Sequence, residues 1–176
     1  MSKILPLLVT LCSFSTFAQE ANNLSQDIYV AGGYSYHEVF DDSGNAFDGY
    51  FGARNIYGNS LFIGGELEGK VIDNSALKKK GLDEEYSFSA NIPVGKRFKL
   101  NDTLAIDAYG LIGYSTLQTK PKVDKSLHGV KYGVGIELNT SNWLVGIRYS
   151  RVNLDYDFDQ KDISLLVGYK FKSLLN

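Results

Sequence analysis

The chain has 176 residues, 44% hydrophobic and 22% charged, with a formal net charge of −2. That length suits one domain, the composition is too hydrophobic for a disordered chain, and the near-neutral charge excludes the basic surface that a nucleic-acid partner needs. Glycine, at 18 residues, lies above the usual share of about 7%, and tyrosine, at 12, is the commonest aromatic.

Taken in chain order, the first segment is "MSKILPLLVTLCSFSTFAQE". Lys3 precedes an apolar run that ends in Thr16-Phe17-Ala18, the form of a secretory signal peptide with a small-x-small cleavage site. The expected division is a signal peptide over 1–18 and one domain over 19–176. The only cysteine, Cys12, falls inside the leader and follows Leu11, not the small residue of a lipoprotein signal. The expected mature chain is therefore exported without any disulfide.

Nothing after residue 18 approaches the ~20 apolar residues of a membrane helix. Instead, apolar and polar residues alternate with the period of two that marks strands. Eight such runs are predicted: 27–40, 46–55, 61–72, 84–100, 104–117, 127–139, 143–154 and 162–171. Tight turns are expected at "NDT" (101–103) and "SN" (141–142). Longer, charged connections are expected after strands 3, 5 and 7: "DNSALKKKGLD", "QTKPKVDKS" and "DYDFDQK". Short turns at one end and longer loops at the other fit an all-β, eight-stranded antiparallel up-and-down transmembrane barrel. The two tight turns also predict register. Leu100 opposes Leu104, Phe98 opposes Ile106 and Arg97 opposes Asp107, while Thr140 opposes Trp143 and Gly135 opposes Arg148. Glu137 is then diagonal to Arg148, within reach of a long side chain.

Alternation puts Trp143, Val145, Ile147 and Tyr149 on one face and Leu144, Gly146, Arg148 and Ser150 on the other. Across the chain the charges gather on the second face: Arg54, Glu66, Glu68, Lys70, Arg97, Asp107, Lys131, Glu137, Arg148 and Lys170. The first face carries almost none, with Lys96 the main exception. A soluble barrel, such as a lipocalin-like periplasmic binder, would have the reverse, an apolar lumen and a charged exterior. The expected solvent for Trp143, Val145, Ile147 and Tyr149 is therefore lipid. An eight-stranded barrel has an interior only wide enough for side chains, so the ten lumen charges must pair, Glu137 with Arg148 among them.

"GKRFKLNDTLAIDAYGLIGYS", "KYGVGIELNTSNWLVGIRYS" and "ISLLVGYKF" together resemble the small outer-membrane barrels of the OmpX/Ail and OmpA types. The resemblance is good over about residues 95–171 and holds only as a pattern over 27–94. It implies a Gram-negative outer-membrane location, contact with outer-membrane lipid and lipopolysaccharide, a monomeric state, and a structural, adhesive or host-surface role. It also implies that Tyr169 and Phe171 form the signal read by the barrel-assembly machinery. The chain departs from that signal by continuing from Lys172 to Asn176 and by carrying Leu166 where glycine is frequent.

Some barrels of this size are lipid A acyl-modifying enzymes that use a histidine, a serine and an acid near the outer leaflet. Only His37 and His128 are available here, and no local motif surrounds them. "DYDFDQKD" (155–162) lacks the glycine and the glutamate of a calcium loop, with Gln160 and Leu166 in their places. "GVGIE" lacks the strand-turn-helix context of a nucleotide motif. Lys78, Lys79 and Lys80 in the loop after strand 3 are candidates for contact with lipopolysaccharide phosphates. The expectation is a non-catalytic surface barrel without cofactor or metal; a lipid A enzyme, a narrow pore and the soluble binder are the alternatives.

Overall fold

The computed structural model describes residues 25–39, 42–73, 83–120, 125–154 and 158–172. The segment 1–18 expected to be a signal peptide, Lys78, Lys79, Lys80, Asp155 and Asp157 lie outside these residues. Eight strands follow one another: β1 (Ser25–Val39), β2 (Asp42–Ile56), β3 (Leu61–Asp73), β4 (Asp83–Lys99), β5 (Ala105–Lys120), β6 (Lys125–Asn139), β7 (Trp143–Leu154) and β8 (Phe158–Lys172). Each pairs antiparallel with the next, and β8 closes on β1, so the barrel has no free edge.

The period-two pattern sets which side chains enter the lumen. Along β7, exposed and buried residues alternate from Trp143 to Leu154. At one end, tight turns join β2 to β3, β4 to β5 and β6 to β7, and Asp27 pairs with Lys172, so both described chain ends also lie there. In the turns the Leu100 amide donates to the Leu104 carbonyl at 2.9 Å and the Thr140 amide to the Trp143 carbonyl at 2.8 Å. Arg97 opposes Asp107, Phe98 opposes Ile106 and Gly135 opposes Arg148, the registers predicted from the turns.

At the other end the strands run further than the hydropathy pattern indicates. The connections expected at 41–46, 118–126 and 155–161 are shortened, because β2 starts at Asp42, β5 reaches Lys120, β6 starts at Lys125 and β8 starts at Phe158. Ladder hydrogen bonds belong to the backbone, so pairing continues beyond the apolar band into polar sequence.

Two interior tyrosines rest on glycines. Tyr29 opposes Gly52 and Tyr109 opposes Gly135. A Cβ at Gly52 would lie 2.5 Å from the Tyr29 hydroxyl, and one at Gly135 would lie 2.4 Å from the Tyr109 ring. Bare backbone at these positions lets each ring lie across the neighbouring strand and project its hydroxyl into the lumen.

Charged and polar side chains run along the lumen, with two apolar clusters among them. Ala46, Ile72, Leu117, Leu127, Val152 and Leu154 form a buried layer at the end away from the tight turns. Ile56, Phe62, Tyr109 and Leu111 form a second nearer the turns. The outside carries a continuous band of exposed large apolar residues, including Phe47, Phe51, Ile112, Val134, Ile147 and Leu165. A water-soluble protein rarely exposes more than a few hundred Å² of contiguous apolar surface, and this band encircles the barrel.

Candidate functional site

The structure brings all ten assigned lumen charges into the interior. Near the tight turns, the Arg97 guanidinium donates to both oxygens of Asp107 at 2.7 Å and to Asp27 at 2.8 Å. Lys170 lies 3.5 Å from Asp27.

Above this layer, six side chains close a hydrogen-bond cycle across the lumen. Arg54 donates to both oxygens of Glu137, at 2.5 and 3.0 Å. Glu137 also accepts from the Tyr109 hydroxyl at 2.5 Å, and Tyr109 accepts from Arg148 Nε at 3.1 Å. Arg148 donates to both oxygens of Glu66, at 2.7 and 2.9 Å. Glu66 accepts from the Tyr29 hydroxyl at 2.7 Å, and Tyr29 accepts from Arg54 at 3.2 Å, which completes the cycle. Each tyrosine accepts from one arginine and donates to the carboxylate held by the other. For Tyr29 that arginine is Arg54, and for Tyr109 it is Arg148. Arg54 also lies over the rings of Tyr29, Phe62 and Tyr109 at 4.6, 5.3 and 5.0 Å, and Arg148 lies 4.7 Å from the ring of Tyr50.

Beyond the cycle, Lys131 meets both oxygens of Glu68 at 2.6 and 2.7 Å. Asn91 bridges Glu66 and Glu68. Lys70 sits 2.8 Å from Asp162 and 3.6 Å from Asp48. Asp48 accepts from the hydroxyls of Ser35 and Tyr50, and His37 Nδ1 lies 2.6 Å from Asp162.

Two expectations need correction. The main partner of Glu137 is Arg54, not Arg148, which stands 3.9 Å away and is committed to Glu66. Hairpin register brings Glu137 and Arg148 near each other, but the longer reach across the lumen decides the pairing. The charge balance also changes. Among the described side chains, Asp27, Asp48 and Asp162 join Glu66, Glu68, Asp107 and Glu137, so seven acids meet the six cations Arg54, Lys70, Arg97, Lys131, Arg148 and Lys170. The parity of β2 and β8 marks Asp48 and Asp162 as inward, in step with Arg54 and Lys170. Both lie at or near the ends of the short strands that hydropathy marks out, where alternation gives little signal. Tyr29, Tyr50 and Tyr109 also belong to the lumen, and parity again is the signal that could find them. Tyrosine suits an outward interfacial position as well as an inward one, so its type alone does not choose the face.

The outward face is not as free of charge as expected. Lys96 is outward and lies 5.7 Å from the Phe98 ring, but Arg151, Lys161, Glu38 and Asp159 also project outward, at the end away from the tight turns. Trp143, Val145, Ile147 and Tyr149 are all exposed on the outside. Tyr169 and Phe171 are outward too, in edge contact with each other, and Tyr169 also packs edge-on against Trp143.

His37, Asp162 and Ser35 are fully enclosed, and the Ser35 hydroxyl is bonded to Asp48. His128 is on the outside, stacked on Tyr114 at 6.3 Å. Among the described residues, no group of three metal-ligating side chains comes together.

The barrel is similar in fold to solved structures of low sequence identity. Neisserial surface protein A superposes with a TM-score of 0.66 at 13% identity, over 85% of this chain and 100% of the other. Ail of Yersinia pestis gives 0.51 at 16% identity, again over 85% and 100%. The structure of Ail in complex with the heparin analogue sucrose octasulfate gives 0.52 at 17%, with the same coverage. No curated protein matches by sequence. The outer membrane protein beta-barrel domain matches over residues 4–171. With nearly the whole chain matched, eight closed antiparallel strands and an apolar belt outside, the chain belongs to the outer membrane protein beta-barrel domain family and resides in the outer membrane.

Proposed function

We propose that this protein is a closed, non-catalytic surface barrel whose role is carried by its outward-facing end and not by its lumen. The observation that supports this best is the hydrogen-bond cycle of Arg54, Glu137, Tyr109, Arg148, Glu66 and Tyr29, which ties six strands across the interior. With its charges paired and apolar clusters packed among them, the interior is a scaffold. Trp143, Val145, Ile147 and Tyr149 then meet hydrocarbon, and Tyr169 and Phe171 serve assembly. Cleavage after Ala18 releases the mature chain.

In this orientation the connections away from the tight turns reach the cell surface, carrying Lys78, Lys79 and Lys80. Three adjacent lysines suit anionic sugars, either the phosphates of lipopolysaccharide or the sulfates of a host glycan, such as the sulfated analogue bound by Ail. The test is binding of a sulfated glycan by protein refolded in vesicles, set beside planar-bilayer recordings. Glycan binding lost in the triple lysine-to-glutamine variant, with no steady conductance, is the expected result. Reproducible open channels from pure protein would replace this reading with a pore. Binding unaffected by the triple substitution would remove the lysines from it.

A further inference from the structure

The outward charges at the far end of the barrel form a pattern that lumen packing does not explain. Arg151 on β7 and Lys161 on β8 are direct register partners, and both point outward. Like charges directly opposite each other destabilise a sheet. On the flanks, Tyr132 is the partner of Arg151 and Glu38 is the partner of Lys161, so Tyr132, Arg151, Lys161 and Glu38 form one lateral row over β6, β7, β8 and β1. Arg151 is bonded to Asp159, and Lys161 to Glu38 at 3.1 Å, with all four side chains between 34% and 43% exposed. Pairs this exposed are held weakly.

The row has a definite depth. One pair nearer the tight turns, the outward residues are Tyr149 and Ile163, flanked by Val134 and Tyr36, the upper margin of the apolar band. Lys161 and Phe171 are ten residues apart on β8, which is about 33 Å along a strand at ~3.3 Å per residue. At a strand tilt near 40° that is about 25 Å of height, close to the thickness of the apolar band of such barrels. The two cations therefore stand at the level of the outer-leaflet headgroups.

We propose that Arg151 and Lys161 form a docking site for the phosphate of an outer-leaflet lipid, its acyl chains lying along the apolar wall below. Opposed side chains start about 4.5–5.5 Å apart at Cβ, so one phosphate can accept from the guanidinium and the ammonium together. A phosphomonoester brings more charge and more acceptor oxygens than either carboxylate. It displaces Asp159 and Glu38, which return to water, and relieves the repulsion between the cations. The Tyr132 hydroxyl, 3.4 Å from Asn153 Oδ1, stands at the Arg151 side of the site. The site depends on the orientation proposed above, so its test must keep the two claims apart.

The experiment is electron spin resonance of the protein refolded in phosphatidylcholine vesicles that hold either spin-labelled phosphatidic acid or spin-labelled phosphatidylcholine. Heat-modifiable migration in gels first establishes insertion; wild-type protein that does not insert would fail the barrel orientation itself. For inserted protein, the phosphomonoester lipid should be preferred severalfold. The Arg151→Gln/Lys161→Gln variant should lose most of that preference, and Arg151→Lys/Lys161→Arg should keep it. Excess inorganic phosphate should leave it in place, because the acyl chains hold the headgroup at the site. An inserted wild-type protein without preference, or a glutamine variant that retains it, overturns the site. Loss of the preference to inorganic phosphate would assign the pair to a soluble anion and overturn the lipid assignment.

Discussion

Arg148 and Arg151 lie three residues apart on β7 and live in different solvents. Arg148 is 2% exposed, donates to both oxygens of Glu66 and to Tyr109, and lies against the Tyr50 ring. Arg151 is 37% exposed and bonded to Asp159. Their difference is one of parity: an even position on β7 enters the lumen and an odd one faces out. Inside, a cation is tolerated because its donors are met from several strands at once. Outside, Arg151 and Lys161 stand where the apolar band ends. The barrel therefore separates charge by face and, on the outer face, by depth.

The largest break in this comparison is Arg148→Leu. It strands Glu66, and removing one partner of a buried pair costs about 3–5 kcal/mol. Adding Glu66→Gln should recover part of the loss. Adding Glu137→Gln should recover less, because Glu137 keeps Arg54. Urea titration of folding into lipid vesicles measures all three. Equal recovery by the two second substitutions would mean that the cycle does not assign Arg148 to Glu66.

How much of this is readable from the chain follows from the same geometry. Alternation fixes the face of a residue, so the ten lumen charges and the outward set of Trp143 to Tyr149 follow from parity alone. Tight turns fix local register, so the length of the turn at 101–103 suffices to match Arg97 to Asp107. The partners of Arg54 and Arg148 are not legible, because they lie across the lumen on non-adjacent strands. Their contacts depend on barrel stagger and on side-chain length, which no local pattern encodes. Strand ends beyond the membrane are illegible for another reason. There the outer face turns polar while Val152 and Leu154 make the lumen face apolar, so the pattern reverses as the backbone ladder continues, which hides Arg151 and Lys161 from the outward set.

Val145→Arg tests the other side of the strand. Val145 is outward, 45% exposed, between Leu138 and Val167. A cation on the outer face near the midplane costs about 2–4 kcal/mol, read as a lower urea midpoint for folding into vesicles. A neutral result in a bilayer would show that this face does not meet hydrocarbon and would return the apolar-lumen reading to contention.

Gly135→Ala reaches the lumen charges without altering one. The new Cβ would collide with the Tyr109 ring, the residue that links Arg148 to Glu137. Overpacking of this kind costs about 1–3 kcal/mol. If the cycle acts as a unit, the cost of Gly135→Ala should shrink when Tyr109 is already Ala, because the colliding ring is gone. Additive losses in that double-mutant cycle would mean that the glycine acts elsewhere.

The smallest expected effect belongs to Arg151→Gln. An exposed ion pair contributes little, and Asp159, at 43% exposure, can return to water when its partner is removed. The substitution also ends the opposition of Arg151 to Lys161, which offsets part of what is lost. The change in the urea midpoint should therefore be small and of either sign. In the comparison with Arg148→Leu, the same arginine charge on the same strand then gives a far larger loss at Arg148 than at Arg151. That difference belongs to the surroundings, since guanidinium and backbone are common to both. An Arg151→Gln cost near that of Arg148→Leu would mean that Arg151 is enclosed in the membrane, and the headgroup depth assigned to it would be wrong.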